Sequence, residues 1–390
     1  MSDFGIVCEF NPIHKGHERL FAEARDRGAE RIVCVMSGNA VQRGELAVFD
    51  KYVRAEAALK CGADLVLELP FPWCTASAEY FSRAGIYVLS KLCNTVIFGS
   101  ECGDIARLSD VAKRAGSEEF RLEYAKRTQN GERAAEVYFD MLGSSDGKRL
   151  SSNDLLGVEY LRAAKALGCD LHFETVTRDG AGYNDTRLCE TENPSATALR
   201  RLWMEGGFED CEKYIPRRAY DVFEKAYYNG EMTDIYQLSR ALLTYFRLAD
   251  PKELEQYADA EGGIANRICT LAHESSSLEE MLERLSTKRY TDAKLRRAML
   301  FSMCGVRENL LAQNPEYTTL LAANAKGREI LASARKDARI PIITKPADAP
   351  LDSPQYAAGK RLDAIFTLAK MQPGESGEYM KKSAFIDITN

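Results

Sequence analysis

The chain has 390 residues, 45% hydrophobic and 28% charged, with a net charge of −6 from 52 Lys+Arg against 58 Asp+Glu. At roughly 100–200 residues per domain this length predicts two domains with sizeable cores, and the acidic balance excludes a generic nucleic-acid coat while leaving room for a local basic face. No apolar run approaches the roughly 18–20 residues of a membrane span, Met1–Phe10 lacks the basic segment of a signal peptide, and eleven cysteines without a C-x-x-C pair, beside only four histidines, read as reduced thiols of a cytoplasmic protein rather than a zinc site.

The first hundred residues alternate short β-rich runs with helical stretches. Strands are expected at Phe4–Phe10, Arg31–Met36, Asp64–Leu69 and Thr95–Phe98. Helices are expected at Lys15–Gly28, Phe49–Cys61 and Ser77–Leu92, the first two ending at a glycine. This βαβαβαβ order predicts an α/β, Rossmann-like parallel sheet with helices on both faces. Such sheets bind ligands outside the carboxyl ends of the strands, where strand order reverses. From Asp104 to about Leu167 the pattern is mostly helical. Cys169–Thr177 returns to a strand, and Ser195–Glu205 reads as a helix. After about Ile215 the chain reads as almost all helical, over Ala219–Tyr228, Ile235–Leu248, Leu254–Tyr257, Leu278–Leu285, Asp292–Phe301 and Gly327–Ala338. A Gly-rich turn followed by Pro216 predicts a catalytic domain at 1–210 and a mainly α-helical domain at 211–390.

Asn11-Pro12-Ile13-His14-Lys15-Gly16-His17 follows the first strand directly and opens the first helix. Pro12 cannot continue a ladder and ends the strand. The unpaired amides at the helix start form a ready anion site. His14 and His17 are three residues apart and share one helical face. Gly16 is expected to let a base or ribose lie against the backbone. Two imidazoles over a triphosphate can donate hydrogen bonds to an α-phosphate as charge grows there. A pair of capping or metal-binding histidines is the plainer reading, and H-x-x-H alone would not exclude it. Ser195 and Thr197, followed by Arg200 and Arg201, suggest a second phosphate cradle at a helix N-terminus, although Ser195 would also serve as a simple cap. Arg43, Lys51 and Arg54 are basic candidates for acetate or phosphate contacts, and Lys51 joins the histidines in the expected catalytic set.

Two later stretches are basic. Glu283–Arg297 carries Arg284, Lys288, Arg289, Lys294, Arg296 and Arg297 against Glu283 and Asp292. Lys326–Lys345 carries Lys326, Arg328, Arg335, Lys336, Arg339 and Lys345 against Glu329 and Asp337. Composition alone reads them equally as solvated helix faces.

The HxGH segment and the Ser195–Arg200 segment together resemble the HxGH nucleotidyltransferase superfamily, whose second signature is roughly I-S-S-T-x-x-R. Here Asn193-Pro194-Ser195-Ala196-Thr197 replaces the usual start. The chain is more closely similar to the bacterial tRNA(Met) cytidine acetate ligase family. The resemblance covers nearly the whole chain. It is carried by Gly5–Pro12, Met36–Asn39, Val41–Glu45, Gly62–Pro70, Phe98–Glu101, Ser152–Gly157, Arg178–Tyr183, Lys326–Arg328 and Pro341–Lys345.

The resemblance implies activation of acetate with ATP as acetyl-adenylate. Transfer of the acetyl group to N4 of the wobble cytidine of elongator tRNA(Met) follows. It implies ATP binding by Val7, Cys8, Glu9, Phe10, Asn11, Pro12, Ile13, His14, Lys15, Gly16, His17, Glu18, Arg19 and Leu20, with Gly99, Asn153 and Arg178. Gly180 and Gly182 after Arg178 suggest a loop suited to closing over a ligand. Mg²⁺ is expected with the triphosphate, held by few protein ligands. The basic stretches become candidates for clamping RNA through Lys288, Arg289, Arg296, Arg297, Lys326 and Arg328, with Tyr290 available to stack on a base. Two rivals differ in class. One is a nucleotidyltransferase acting on a small phosphorylated metabolite; the other is a non-catalytic tRNA-binding protein that uses ATP as a switch.

Overall fold

The computed structural model describes residues 2–130, 132, 134–143, 150–178, 195–287, 289–336, 340–345 and 348–387. Its strands are β1 (Asp3–Cys8), β2 (Arg31–Ser37), β3 (Ala40–Val41), β4 (Glu45–Leu46), β5 (Leu65–Leu69), β6 (Thr95–Ser100), β7 (His172–Thr177), β8 (Thr318–Ala323), β9 (Ile342–Ile343) and β10 (Phe385–Ile386). The main sheet has the order β10-β8-β5-β2-β1-β6-β7, with β9 beside β8. Strands β1, β2, β5, β6 and β7 are parallel. The chain grows outward from β1 through β2 to β5, then returns to the other side of β1 with β6. The order therefore reverses between β1 and β6, which puts the crevice beside the carboxyl end of β1.

The central strands are apolar because both faces are covered. All five residues of β5 are buried, as are Ile32 through Ser37 of β2. One face carries α1 (Lys15–Asp26) and α2 (Lys51–Lys60). There Phe21, Ala55 and Ala58 pack in one cluster with Phe223 of the helix Arg217–Tyr228. The other face carries α3 (Ala78–Leu89), whose Phe81 and Ile86 share a cluster with Val158 of the helix Ser152–Leu167. A third cluster fills the bundle made by the helices Ser239–Leu248, Ile264–Glu274, Leu278–Leu285 and Asp292–Cys304.

The second half is mostly helical, as expected, but it also returns three short strands to the sheet. β8, β9 and β10 all arise after residue 215, and β8 pairs antiparallel with β5. The segment Thr318–Ala323 is a short apolar run, and periodicity does not separate a buried strand of that length from a helix turn. A division at residue 210 separates helices but not the sheet. Leu321 and Ala322 of β8 belong to the same buried cluster as Phe21 and Ile32. The helices Ile264–Glu274 and Pro354–Leu368 were not anticipated. The short helix expected at Leu254–Tyr257 lies instead at Pro251–Leu254, where proline takes the first turn. No helix among the described residues is long and apolar enough to cross a membrane.

Candidate active site

The chain leaves β1 at Cys8 and turns through Phe10, which has φ +44. The Phe10 ring is buried and meets the His17 ring edge-on at 5.0 Å. α1 then begins with two histidines acting as its cap. His14 is the N-cap, and its Nδ1 accepts the amide of Gly16 at 3.1 Å. His17, in the third helical position, returns the favour, with its Nδ1 accepting the backbone amide of His14 at 3.2 Å. This is a capping box built from imidazoles.

The cap decides the chemistry of the rings. An imidazole whose Nδ1 accepts a hydrogen bond carries its proton on Nε2. Both histidines are thereby set as Nε2–H donors. Burial lowers the pKa of His14 to about 3, with the charge of Arg178 adding to the effect. Burial, then His14, then Arg178 push His17 well below its ordinary value. At neutral pH the site offers two neutral donors whose rings lie 3.9 Å apart between centroids, tilted at 34°. Gly16 serves this arrangement rather than a ligand: a Cβ there would stand 2.9 Å from Cε1 of His14.

These donors line a cleft at the switch point. Val7, Cys8, Glu9, Phe10, Asn11, His14, His17 and Leu20 line it from β1 and α1, and Gly99, Asn153, Arg178 and Ser195 line it from across the crevice. Pro12, Ile13, Lys15, Gly16, Glu18, Arg19 and Thr197 do not line it. Ile13 is wholly buried, and Lys15, Glu18 and Arg19 point to solvent. Thr197 instead accepts from Arg200 at 3.3 Å. Asn193 and Pro194, and the glycines following Arg178, lie outside the described residues.

The cleft also holds residues the sequence reading missed: Gln42, Phe81, Phe98, Leu156, Tyr160 and Ala196. Asn153, Leu156 and Tyr160 follow helical spacing on the helix Ser152–Leu167, so the periodicity around Asn153 carried a signal for two of them. Phe98 and Tyr160 meet edge-on at 5.6 Å and give the cleft an aromatic end. Glu101 was also missed. Its carboxylate takes the side-chain amide of Asn153 at 2.7 Å and the hydroxyl of Ser151, and it lies 3.7 Å from Nε of Arg178. Asp154 anchors the same helix to β6 by accepting from the hydroxyl of Ser100 at 2.5 Å and the amide of Cys102 at 3.2 Å. Ser195 caps its helix by accepting from Ala198 at 3.1 Å. Arg200 donates to the carbonyl of Asn11 at 2.7 Å and so braces the turn before His14.

Two basic candidates sit elsewhere. Arg54 is fully buried and donates to the carbonyls of Phe49, Glu9, Ser37 and Gly38. It ties three loops together and is not available to an anion. Lys51 lines a separate cavity and bonds both carboxylate oxygens of Glu68, at 2.8 and 3.0 Å. It is therefore not assigned to the reacting phosphate. Arg43 is half-buried on the β3–β4 turn, and its charge reaches Glu9.

The RNA candidates divide in the same way. Arg297 is buried against Asp259 at 2.7 Å, and Arg296 is paired with Glu45 at 2.5 Å, because the helix Asp292–Cys304 turns that face onto the sheet half. Arg289, Lys326 and Arg328 are exposed. Lys288 lies outside the described residues. Tyr290 donates its hydroxyl to the carbonyl of Gly262 at 2.8 Å.

A Rossmann-like sheet carrying paired Nε2–H donors at the end of β1 defines a nucleotidyl transferase of the HIGH class, and residues 1–378 match the HIGH nucleotidyl transferase family. The chain is 32% identical to the tRNA(Met) cytidine acetate ligase of Clostridium perfringens, over 90% of this chain and 92% of that one. It is 34% identical to the Thermotoga maritima protein of the same name, over 86% and 85%. The crystal structure of apo Thermotoga maritima TmcAL superposes with a TM-score of 0.90 at 30% identity, covering 100% of both chains. The form bound with alpha-thio ATP gives 0.87 at 29% identity, again over 100% of both chains. The chain belongs to the tRNA(Met) cytidine acetate ligase family.

Proposed function

We propose that this chain ligates acetate to a cytidine of tRNA(Met) at the expense of ATP. The observation that carries the reading is the pair of neutral histidines that line a cleft at the switch point of the sheet. The likeness to an ATP-analogue-bound relative supports it. Adenine enters the aromatic end beside Phe98 and Tyr160. Asn153 and Arg178, held by Glu101, take ribose and phosphate. The acetate carboxylate attacks the α-phosphorus and pyrophosphate leaves, giving acetyl-adenylate. His14 and His17 donate to the α-phosphate oxygens as charge builds there, and no covalent role for the protein is needed. N4 of the wobble cytidine of the elongator tRNA then attacks the acetyl carbonyl. AMP leaves and the amine loses a proton. That base must be unpaired and splayed to reach the anhydride. Arg328, Arg289 over the Tyr290 ring, and Lys326, which donates to the carbonyl of Glu30 at 3.3 Å, are the exposed cations offered to the RNA backbone.

Mg²⁺ would neutralise the charge of the triphosphate when bound. Glu9 would be the carboxylate to hold it: the side chain lines the cleft, and Oε1 accepts the amide of Gln42 at 2.8 Å. The test is pyrophosphate release from ATP with acetate, with acetate and tRNA, and with neither, followed by mass analysis of the tRNA nucleosides. Acetate-dependent release together with acetylcytidine is expected. Release that ignores acetate would overturn the reading and favour the metabolite nucleotidyltransferase.

A further inference from the structure

A second cavity opens at the same edge of the sheet as the histidine cleft but at the junction of β5 and β8. Its floor is a buried charge cluster. Lys51 holds Glu68, lies 3.6 Å from Asp363, and is 7% exposed. Asn39 fixes the arrangement, donating to Oδ1 of Asp363 at 2.8 Å and accepting the amide of Lys51 at 2.9 Å. Both oxygens of Glu68 are taken by Lys51. Oδ2 of Asp363 lies 3.6 Å from the Lys51 ammonium, and Asp363 lines the cavity. Burial, with Glu68 beside it, pushes the Asp363 carboxyl up to about 6.

The walls are aromatic. Tyr52 stacks on Tyr379 at 6.3 Å, and Tyr317 and Tyr356 complete the lining. At the mouth stand Lys345 and Lys360, both exposed and without an ion pair among the described residues. Tyr379 is buried and covered by Tyr52 and by the ammoniums of Lys51, Lys370 and Lys382, so the site offers the half-buried ring of Tyr356, an acceptor at depth and two unspent cations at the entrance. That combination matches one nucleotide of a single strand: a base against a tyrosine, an amino edge on a carboxylate, and phosphates on lysines.

Position decides which nucleotide. Glu68 is on β5, two strands from β1, or roughly 10 Å at the usual strand spacing. A base seated here cannot be the one that meets acetyl-adenylate at His14 and His17. It can belong to the same splayed strand a few nucleotides away. We propose that this cavity binds a nucleotide flanking the acceptor cytidine, with the base between Tyr356 and the Asp363 floor and its phosphates on Lys345 and Lys360. The proposal rests on the reading that RNA is the acceptor substrate. It would give the enzyme a second point of sequence reading, away from the reacting base.

The test uses the full chain and three variants: Lys345→Ala, Lys360→Ala and Tyr356→Ala. Each lysine change is expected to weaken tRNA binding severalfold and to reduce the slope of log affinity against log salt by about 1. Tyr356→Ala is expected to weaken binding about tenfold without changing that slope. All three should keep the parental rate of acetate-dependent pyrophosphate release, measured without RNA. Parental tRNA affinity and slope in the lysine variants would overturn the proposal. So would saturable binding of free nucleoside monophosphates, lost in the variants while tRNA affinity stays parental, because the occupant would then be a free nucleotide. A parent protein that acetylates no tRNA would instead bring down the functional reading, and this proposal with it.

Discussion

At the β1 end of the sheet two histidines are held by backbone amides and kept neutral, whereas at the β5–β8 end a lysine, a glutamate and an aspartate hold one another. Both sets are buried, yet burial acts on them in opposite ways. For the imidazoles it removes charge and leaves each Nε2–H free to donate. For Lys51 burial works against the charge, but Asp363 and Glu68 overcome it and raise the ammonium pKa well above its usual value. The difference separates donors available to a ligand from charges already spent on their neighbours. It also explains why Lys51, a plausible phosphate ligand by sequence, is a pillar of the second cavity instead.

The comparison is broken or sharpened most by removing Lys51. Lys51→Ala leaves Glu68 buried beside Asp363 with no counter-charge, and a loss of about 3–5 kcal/mol in urea unfolding is expected. Adding Glu68→Leu to Lys51→Met should restore most of it. Parental stability in Lys51→Ala would mean the cluster is not held by charge.

The histidines should respond in rate, not stability. His17→Ala and His14→Asn are each expected to slow acetate-dependent pyrophosphate release about 100- to 1000-fold. Asparagine still caps a helix, so His14→Asn should unfold within about 1 kcal/mol of the parent. A fully active His14→Asn enzyme would remove His14 from the chemistry.

Acid supplies the next test. The unfolded chain protonates His14 near pH 6.5, while the folded chain resists until about pH 3. Protons therefore favour the unfolded state only below about pH 6.5, and His14 costs about 1.4 kcal/mol of stability per pH unit from there downward. Above that pH it contributes no slope. Unfolding of the parent and of His14→Asn at pH 5.0 and 7.5 should show the steeper loss in the parent. Equal losses would mean that His14 is already charged in the fold.

The smallest effect is expected at Glu101. Glu101→Gln keeps an acceptor for Asn153 but loses the charge beside Arg178, and should raise the KM for ATP about fivefold to tenfold with little change in stability. An unchanged KM would leave Arg178 and Asn153 positioned without it.

The β1 cleft was legible because its parts are local. Strand, proline and HxGH lie within a few residues of one another, and helical spacing from Asn153 leads to Leu156 and Tyr160. The reason for Gly16 was not legible, since it depends on where the His14 ring folds back. The second cavity could not be read at all. Lys51, Glu68, Asp363 and Tyr379 lie far apart in sequence and meet only because β8 enters the sheet beside β5. Arg296 and Arg297 read as RNA-clamping candidates, with solvated helix charge as the alternative, and only the packing of their helix shows them paired with Glu45 and Asp259.

That same entry of β8 has a consequence for biosynthesis. Until some 320 residues have left the ribosome, β5 is an edge strand, with four of its five residues apolar and the partner strand β8 not yet made. Pairing across so long a separation is slow to form, and an open edge of this kind invites other chains. A fragment ending at residue 210 should therefore aggregate rather than fold, and the nascent chain is a natural client for a chaperone that shields strand edges until translation is nearly done.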